Sequence, residues 1–232
     1  MTAAFRILLA LAVLAVTLME TRSAHGQEDR WVFRVLLNDK EIGYHEFRVL
    51  GPKENRRVEI NADFDVKVLF INAYSYDHEN TEFWTGNCLA GIDSFTNDNG
   101  AEFLVKGERT ADSFVVSTQD DKARISAECV QTFAYWNPAI LDSKRLLNSQ
   151  TGELIEVNVI DSGPDTLEIG PNNIAARKYT IEMKDGPIRL WYSPDTDRWL
   201  ALEAPAKGGR TIRYEPLVLP VGAVGDARLA MD

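Results

Sequence analysis

Residues 57–68 read RVEINADFDVKV. The even positions Val58, Ile60, Ala62, Phe64, Val66 and Val68 are apolar, and Arg57, Glu59, Asn61, Asp63, Asp65 and Lys67 between them are polar. A strict period of two is the pattern of a strand with one face on a core and the other in water. A helix would spread these charges around its whole circumference, so the stretch predicts antiparallel sheet with one solvated face.

Working outward, similar segments recur with turn chemistry between them. Upstream, Trp31, Phe33, Val35 and Leu37 share a face, Asn38-Asp39 turns into residues 42–50, and Gly51-Pro52 ends that strand. Downstream, Thr96-Asn97-Asp98-Asn99-Gly100 is a hairpin signal, since Asn and Gly tolerate the positive φ of primed turns. Gln119-Asp120-Asp121-Lys122 separates two short strands, and residues 154–160 carry Ile155, Val157 and Val159 on one face until Asp161-Ser162-Gly163-Pro164 ends the run. Tyr179, Ile181 and Met183 alternate with polar residues, and Asp185-Gly186 turns into residues 188–192. Pro194-Asp195-Thr196-Asp197 turns into residues 199–203, and Gly208-Gly209 into residues 211–217. Roughly ten to twelve short strands at this spacing predict a mainly β fold: a strongly curved antiparallel sheet, as a half-barrel or an open barrel or sandwich.

One segment breaks the rhythm. Residues 137–148 (NPAILDSKRLLN) lack alternation and fit a short helix or irregular crossover, with Pro138 in its first turn and Asn137 as cap. It falls within residues 130–149, which join a strand set at 30–129 to another at 150–217.

The N-terminus decides the expected compartment. One positive charge, Arg6, precedes the charge-free apolar run ILLALAVLAVTLM at 7–19, and the polar stretch beyond it exits at Ala24-His25-Gly26. That is the layout of a secretory signal over residues 1–26, too short to span a bilayer comfortably. Gln27 would follow the cleavage, and not being Cys it offers no lipoprotein anchor. Residues 27–220 then form a single β domain and the Gly/Ala-rich 221–232 a flexible tail, in the periplasm or outside the cell. No second apolar run reaches spanning length, so no integral membrane segment is expected after cleavage. The formal net charge of −10 argues against nucleic acid and anionic lipid surfaces as bulk partners. The two cysteines, Cys88 and Cys129, are expected to be bridged in an oxidising compartment, which would contribute about 4 kcal/mol in the chain-entropy model. The alternative is a reactive thiol with His78 as base, for which no third orienting group stands out.

Chemistry-bearing clusters are few. Asp77-His78-Glu79 with Glu82 is the one candidate metal cluster, but on a strand Asp77 and Glu79 face away from His78, and a solvated polar strand end is the simpler reading. His45 reads as a half-buried strand residue, and Asp63 with Asp65 as part of a solvated face. No phosphate loop, nucleophile elbow or zinc-protease helix is present, so the sequence calls for no catalytic residues, cofactor or metal, and nothing in it demands an enzyme. The aromatics are more pointed. Phe64, Phe70, Tyr74, Tyr76 and Trp84 all occupy even positions, and Tyr135, Trp136 and Trp191 add to them. They either fill a core between sheets or line an apolar groove covered by residues 137–148.

Several segments together carry a family resemblance: LNDKEIGYH at 37–45, DVKVL at 65–69, GNCL at 86–89, TNDNG at 96–100, CVQTFAYWNP at 129–138, LLNSQTGE at 146–153 and LWY at 190–192. The chain resembles the DUF6134 family of secreted bacterial proteins over nearly its whole mature length. The matched segments include both cysteines, which supports the bridge. The family label implies no activity. More distantly, the layout is similar to DUF3108 proteins and to periplasmic half-barrels of the lipoprotein-carrier type, a likeness of architecture. The leading expectation is a periplasmic protein binding a lipid-like or apolar small molecule. The alternative is a structural module that recruits an envelope protein through an exposed Trp136-Asn137-Pro138 region or a sheet edge.

Overall fold

A computed structural model describes residues 28–68 and 71–224, with the side chains of residues 68, 71 and 72 excepted. The alternation at 57–68 is strand β3. In chain order the first eight strands are β1 (Glu28–Leu37), β2 (Lys40–Leu50), β3 (Arg56–Val68), β4 (Ile71–Thr85), β5 (Cys88–Asp98), β6 (Ala101–Arg109), β7 (Phe114–Ser117) and β8 (Lys122–Ile125). A strap follows, residues 126–157, holding a short 3-10 turn (Pro138–Asp142) and the strands β9 (Arg145–Leu147) and β10 (Leu154–Glu156). The chain then continues as β11 (Asn158–Ile169), β12 (Asn172–Glu182), β13 (Ile188–Tyr192), β14 (Trp199–Ala206) and β15 (Arg210–Val218).

Thirteen of these strands form one antiparallel sheet, ordered β11-β12-β13-β14-β15-β1-β2-β3-β4-β5-β6-β7-β8, while β9 and β10 pair with each other. Among the described residues β8 and β11 remain edges, so the sheet is not closed into a barrel. It curves because each pair of strands carries the usual right-handed twist, and because bulges interrupt the register in β1–β2, β3–β4, β4–β5 and elsewhere. Asn99 and Gly100, at φ 53° and 93°, make the two-residue turn between β5 and β6 that the sequence predicts.

The strap lies inside the curve. Val130, Ala134, Trp136, Ile140, Leu146 and Leu147 join Trp31, Phe33, Phe47, Val58, Trp84 and Trp199 in the main core. A long apolar sheet face must be covered, and here the chain covers its own concave face with this insert. Three fastenings hold it. Cys88 and Cys129 stand at disulfide distance, with Cα atoms 5.0 Å apart, at the strap's entrance. Beside them Leu89 N donates to Val130 O (2.8 Å) and Gln131 Nε2 to Asn87 O (3.0 Å). Further along, Tyr192 OH donates to Tyr135 O at 2.8 Å. Asn137 caps the 3-10 turn through Oδ1, which accepts from Ala139 N (3.2 Å), and Pro138 occupies the first turn.

Four details differ from the sequence reading. Among the described residues the strands number fifteen rather than ten to twelve, in part because the three-residue β9 is too short to show a period. Asp161-Ser162-Gly163-Pro164 does not end a strand: β11 runs through it to Ile169 with a register shift between Asp161 and Gly163, as an edge strand tolerates both a bulge and a proline. The 137–148 crossover contains β9, whose residues Leu146 and Leu147 are core. Of the Trp136-Asn137-Pro138 region only Pro138 is exposed: Trp136 and Asn137 retain 5 % and 3 % of their surface. The expected signal at 1–26 lies outside the described residues. Near the other end Ala223 packs in a second, smaller core cluster with Trp191 and Leu200.

Candidate functional site

The inner face of β4 builds the candidate site. Its even positions run Tyr76, His78, Asn80, Glu82, Trp84, and they point inward because the neighbouring even positions of β3 do. Asp77 and Glu79 point outward and are exposed. His78 and Glu82 keep only 6 % and 1 % of their surface, so this is a buried polar row and not the solvated strand end read from the sequence. Among the described residues no group of three or more His, Cys, Asp or Glu could hold a metal ion.

The row is held by its own hydrogen bonds. Asn80 Nδ2 and Trp84 Nε1 donate to the two carboxyl oxygens of Glu82, at 3.0 and 2.9 Å. His78 Nδ1 lies 2.7 Å from Thr96 Oγ1 on β5. Across the sheet, His45 Nδ1 meets Tyr214 Oη at 2.9 Å, and the imidazole stacks on Phe47 with ring centroids 4.3 Å apart. Gly43 places that histidine. β2 passes β3 so closely that a Cβ on Gly43 would stand 1.9 Å from the Asp63 carbonyl oxygen, and its φ of 148° suits glycine.

Between this wall and the strap lies a cavity of about 280 Å³. His45, Tyr76, His78, Glu82 and Tyr214 supply its polar side. Phe47, Ile60, Ile155, Met183 and Ile188 supply apolar surface, with Phe133 and Tyr135 reaching in from the strap. The roof is the turn at 148–152, where Asn148 Oδ1 accepts from Gln150 N (2.8 Å) and Thr151 N (3.2 Å). Gln150 latches it to the sheet: its Oε1 accepts from Tyr76 OH and its Nε2 donates to Asp98 Oδ2, both at 3.2 Å.

Burial moves His45, Tyr76, His78, Glu82 and Tyr214 toward their uncharged forms. His78 is pushed down to about 4 by loss of solvent. His45 is held well below the usual imidazole range by burial and by the proximity of His78. Burial raises the phenols of Tyr76, Tyr135 and Tyr214. It also raises the Glu82 carboxyl, against the hydrogen bonds from Asn80 and Trp84 that hold it down. At neutral pH both imidazoles and all three phenols are therefore neutral.

The aromatic residues singled out in the sequence separate into groups. Tyr76 and Tyr135 line the cavity, and Phe64 stacks on Tyr76 at 5.4 Å. Tyr74 is half-buried on the same strand. Trp84 is fully buried in the core with Trp136 edge-on at 5.3 Å. Trp191 belongs to the second cluster, its Nε1 donating to Asp165 Oδ2 (2.8 Å). Phe70 lies outside the described residues. Aromatic content alone missed His45, Asn80, Glu82, Gln150 and Tyr214. For the β4 residues a signal was present: they share the parity of Tyr76 and Trp84.

Fold and site together define an open, barrel-like antiparallel sheet wrapped around an internal strap, with a partly polar cavity between the two. The chain belongs to the DUF6134 family: that family's profile, described as a domain of unknown function, matches residues 33–217. Among solved structures it is similar to the β-barrel-like protein of domain of unknown function DUF1849 from Brucella abortus. That match has a TM-score of 0.61 and 11% identity, and covers 83% of this chain and 96% of that one. At that identity the likeness shows the fold alone, and it is the likeness to other barrel-like families that the layout predicts. A second match, the GDP-Man-dependent mannosyltransferase MPT-1 from Leishmania mexicana, has 10% identity over 82% of this chain and 86% of that one. Its TM-score of 0.16 carries no argument. No curated protein matches the sequence.

Proposed function

We propose that this chain is a binding protein of the bacterial envelope whose strap cavity holds a small, uncharged amphipathic molecule. The observation that carries the reading is a polar wall without charged imidazoles facing apolar surface in one cavity of about 280 Å³. Small-molecule sites combine a mostly apolar lining with a few placed polar groups, and their volumes begin at roughly 300 Å³. That size suits a single short chain rather than a two-tailed lipid. His45 Nε2 is buried without a hydrogen-bond partner among the described residues, and a ligand hydroxyl or carbonyl would satisfy it. The envelope assignment is supported by the signal-like residues 1–26 and by the cysteine pair at disulfide distance.

The test is a fluorescence titration with N-phenyl-1-naphthylamine, a neutral amphiphile, followed by displacement. Saturable binding is expected, with 1-decanol displacing the probe at least about tenfold better than decanoate at pH 7, since a carboxylate would be desolvated without a cation. Filling the cavity with Ile155→Trp should abolish binding and leave the melting curve cooperative. No saturable binding by folded protein, or equal displacement by the alcohol and the acid, would overturn the reading. The first of these results would favour a structural module.

A further inference from the structure

A second cleft, of about 790 Å³, opens where β1 and β3 begin and β2 ends, beside the 3-10 turn of the strap. Its inner part holds an unusual cation. Arg56 is half-buried, and its guanidinium lies over the ring of Trp136, 5.3 Å from the centroid. Among the described residues it has no hydrogen-bond or ion-pair partner. A guanidinium carries five N–H donors and stays charged, so a partly desolvated one is ordinarily matched by a carboxylate. None of the neighbouring carboxylates forms an ion pair with it: Asp29 and the exposed Glu54 act on it through space only. Asp29 pairs with Arg198 at 2.5 Å, and Asp161 pairs with Arg177. Asp142 and Asp197 stand on the exposed rim, where water and salt screen them. Loss of solvent, with the nearby Arg198 cation, pulls the Arg56 pKa below its usual value, against the through-space attraction of Asp29 and Glu54.

The same wall has a surplus of donors. Trp136 Nε1 and Asn137 Nδ2 are buried without acceptors, Asn137 having spent its Oδ1 on the cap. Lys53, from the turn between β2 and β3, adds a second cation at the mouth. Around the half-buried guanidinium the unpaired groups are donors, while the cleft's carboxylates are either paired (Asp29, Asp161) or on the exposed rim (Asp142, Asp197), so its inner wall suits a ligand that is all acceptor.

We propose that this cleft binds the oxyanion group, phosphate or carboxylate, of a ligand, with Arg56 as the principal partner and Lys53 as the second cation. The planar guanidinium fork offers two parallel N–H···O bonds to such a group. The cleft is far larger than one ion, so the anion is the head of a larger molecule. The site is separate from the strap cavity and does not depend on what that cavity binds.

Because Trp136 lies under Arg56, its indole N–H reports occupancy directly. The full mature chain, labelled with ¹⁵N, would be titrated with inorganic phosphate against chloride at matched ionic strength. A parallel titration would use vesicles of phosphatidylcholine with and without phosphatidylglycerol. A saturable, phosphate-specific shift of the Trp136 resonance is expected, weakened about tenfold or more by Arg56→Gln and severalfold by Lys53→Gln, with the melting temperature of Lys53→Gln unchanged. A response to free phosphate marks a soluble ligand. A response only to phosphatidylglycerol vesicles marks a lipid headgroup. No saturable shift with either probe, a chloride response equal to that of phosphate, or full affinity in a folded Arg56→Gln protein would overturn the proposal. Should Arg56→Gln fail to fold, undiminished affinity in Lys53→Gln together with an equal chloride response would overturn it.

Discussion

Strands β3 and β4 are neighbours that present opposite chemistry on one face. Val58 lies opposite Glu82, Ile60 opposite Asn80, Ala62 opposite His78 and Phe64 opposite Tyr76. Side chains facing each other across such a ladder stand about 5 Å apart and share one environment. Yet one row is apolar throughout and the other is polar from His78 to Glu82. The apolar row gains stability from burial alone. The polar row stays buried because each member finds a partner within the fold: Glu82 two donors, His78 the Thr96 hydroxyl, Tyr76 the Gln150 amide. Parity along a strand decides which face a residue takes. It does not decide that the inner face is greasy.

The largest expected effect breaks the apolar row. Val58→Asp places a carboxylate in the core opposite Glu82, without a cation, and should cost several kcal/mol, enough to abolish the cooperative thermal transition. Asp63→Asn, on the exposed side of the same strand, should stay within about 0.5 kcal/mol of wild type. Similar melting temperatures for the two would refute the division of faces.

The next effect belongs to His78. Its folded pKa lies below that of the unfolded chain, so the unfolded state binds more protons between about 6.5 and 4. Stability from this group is therefore complete above pH 6.5 and is lost as the pH falls toward 4, by about 3 kcal/mol at most. Glu82 works in the opposite sense, because a raised carboxyl favours the fold where it is protonated. Denaturant midpoints from pH 7 to 4 should show a loss in wild type that His78→Asn reduces. An unchanged pH profile in that variant would show that His78 is not desolvated.

The smallest effect tests whether the polar row depends on charge or on acceptors. Glu82→Gln removes the burden of a buried carboxylate but turns one acceptor into a donor, facing either Asn80 Nδ2 or Trp84 Nε1. The orphaned donor should cost about 1–3 kcal/mol in chemical denaturation. A stabilised variant would mean that desolvation of the carboxylate outweighs its two hydrogen bonds.

Much of the fold was legible in the sequence because sheet faces and hairpins are local. Two-residue alternation marked β3, the pair Asn99-Gly100 marked the turn between β5 and β6, and Pro138 with Asn137 marked the 3-10 turn. Strand β9 was not legible, since its three residues carry no period and are fixed by pairing with β10. The edge status of β11 was equally hidden. Asp161 to Pro164 looks like a terminator, and becomes a tolerated bulge only where no strand lies alongside.

By itself, the sequence determined the antiparallel class, the side of the strand each residue takes, the two cysteines available for pairing and the acidic balance. These follow from backbone geometry and composition and need no distant partner. Only the tertiary structure decided that the strap lies inside the curved sheet and that His45, His78 and Tyr214 meet across it in one cavity. It likewise left Arg56 stacked over an indole, with no ion-pair partner among the described residues. Those outcomes depend on desolvation by residues far away in the chain, from 80 positions for Arg56 and Trp136 to 169 for His45 and Tyr214, and the free energy of a buried polar group is set by its surroundings rather than by its neighbours in the chain.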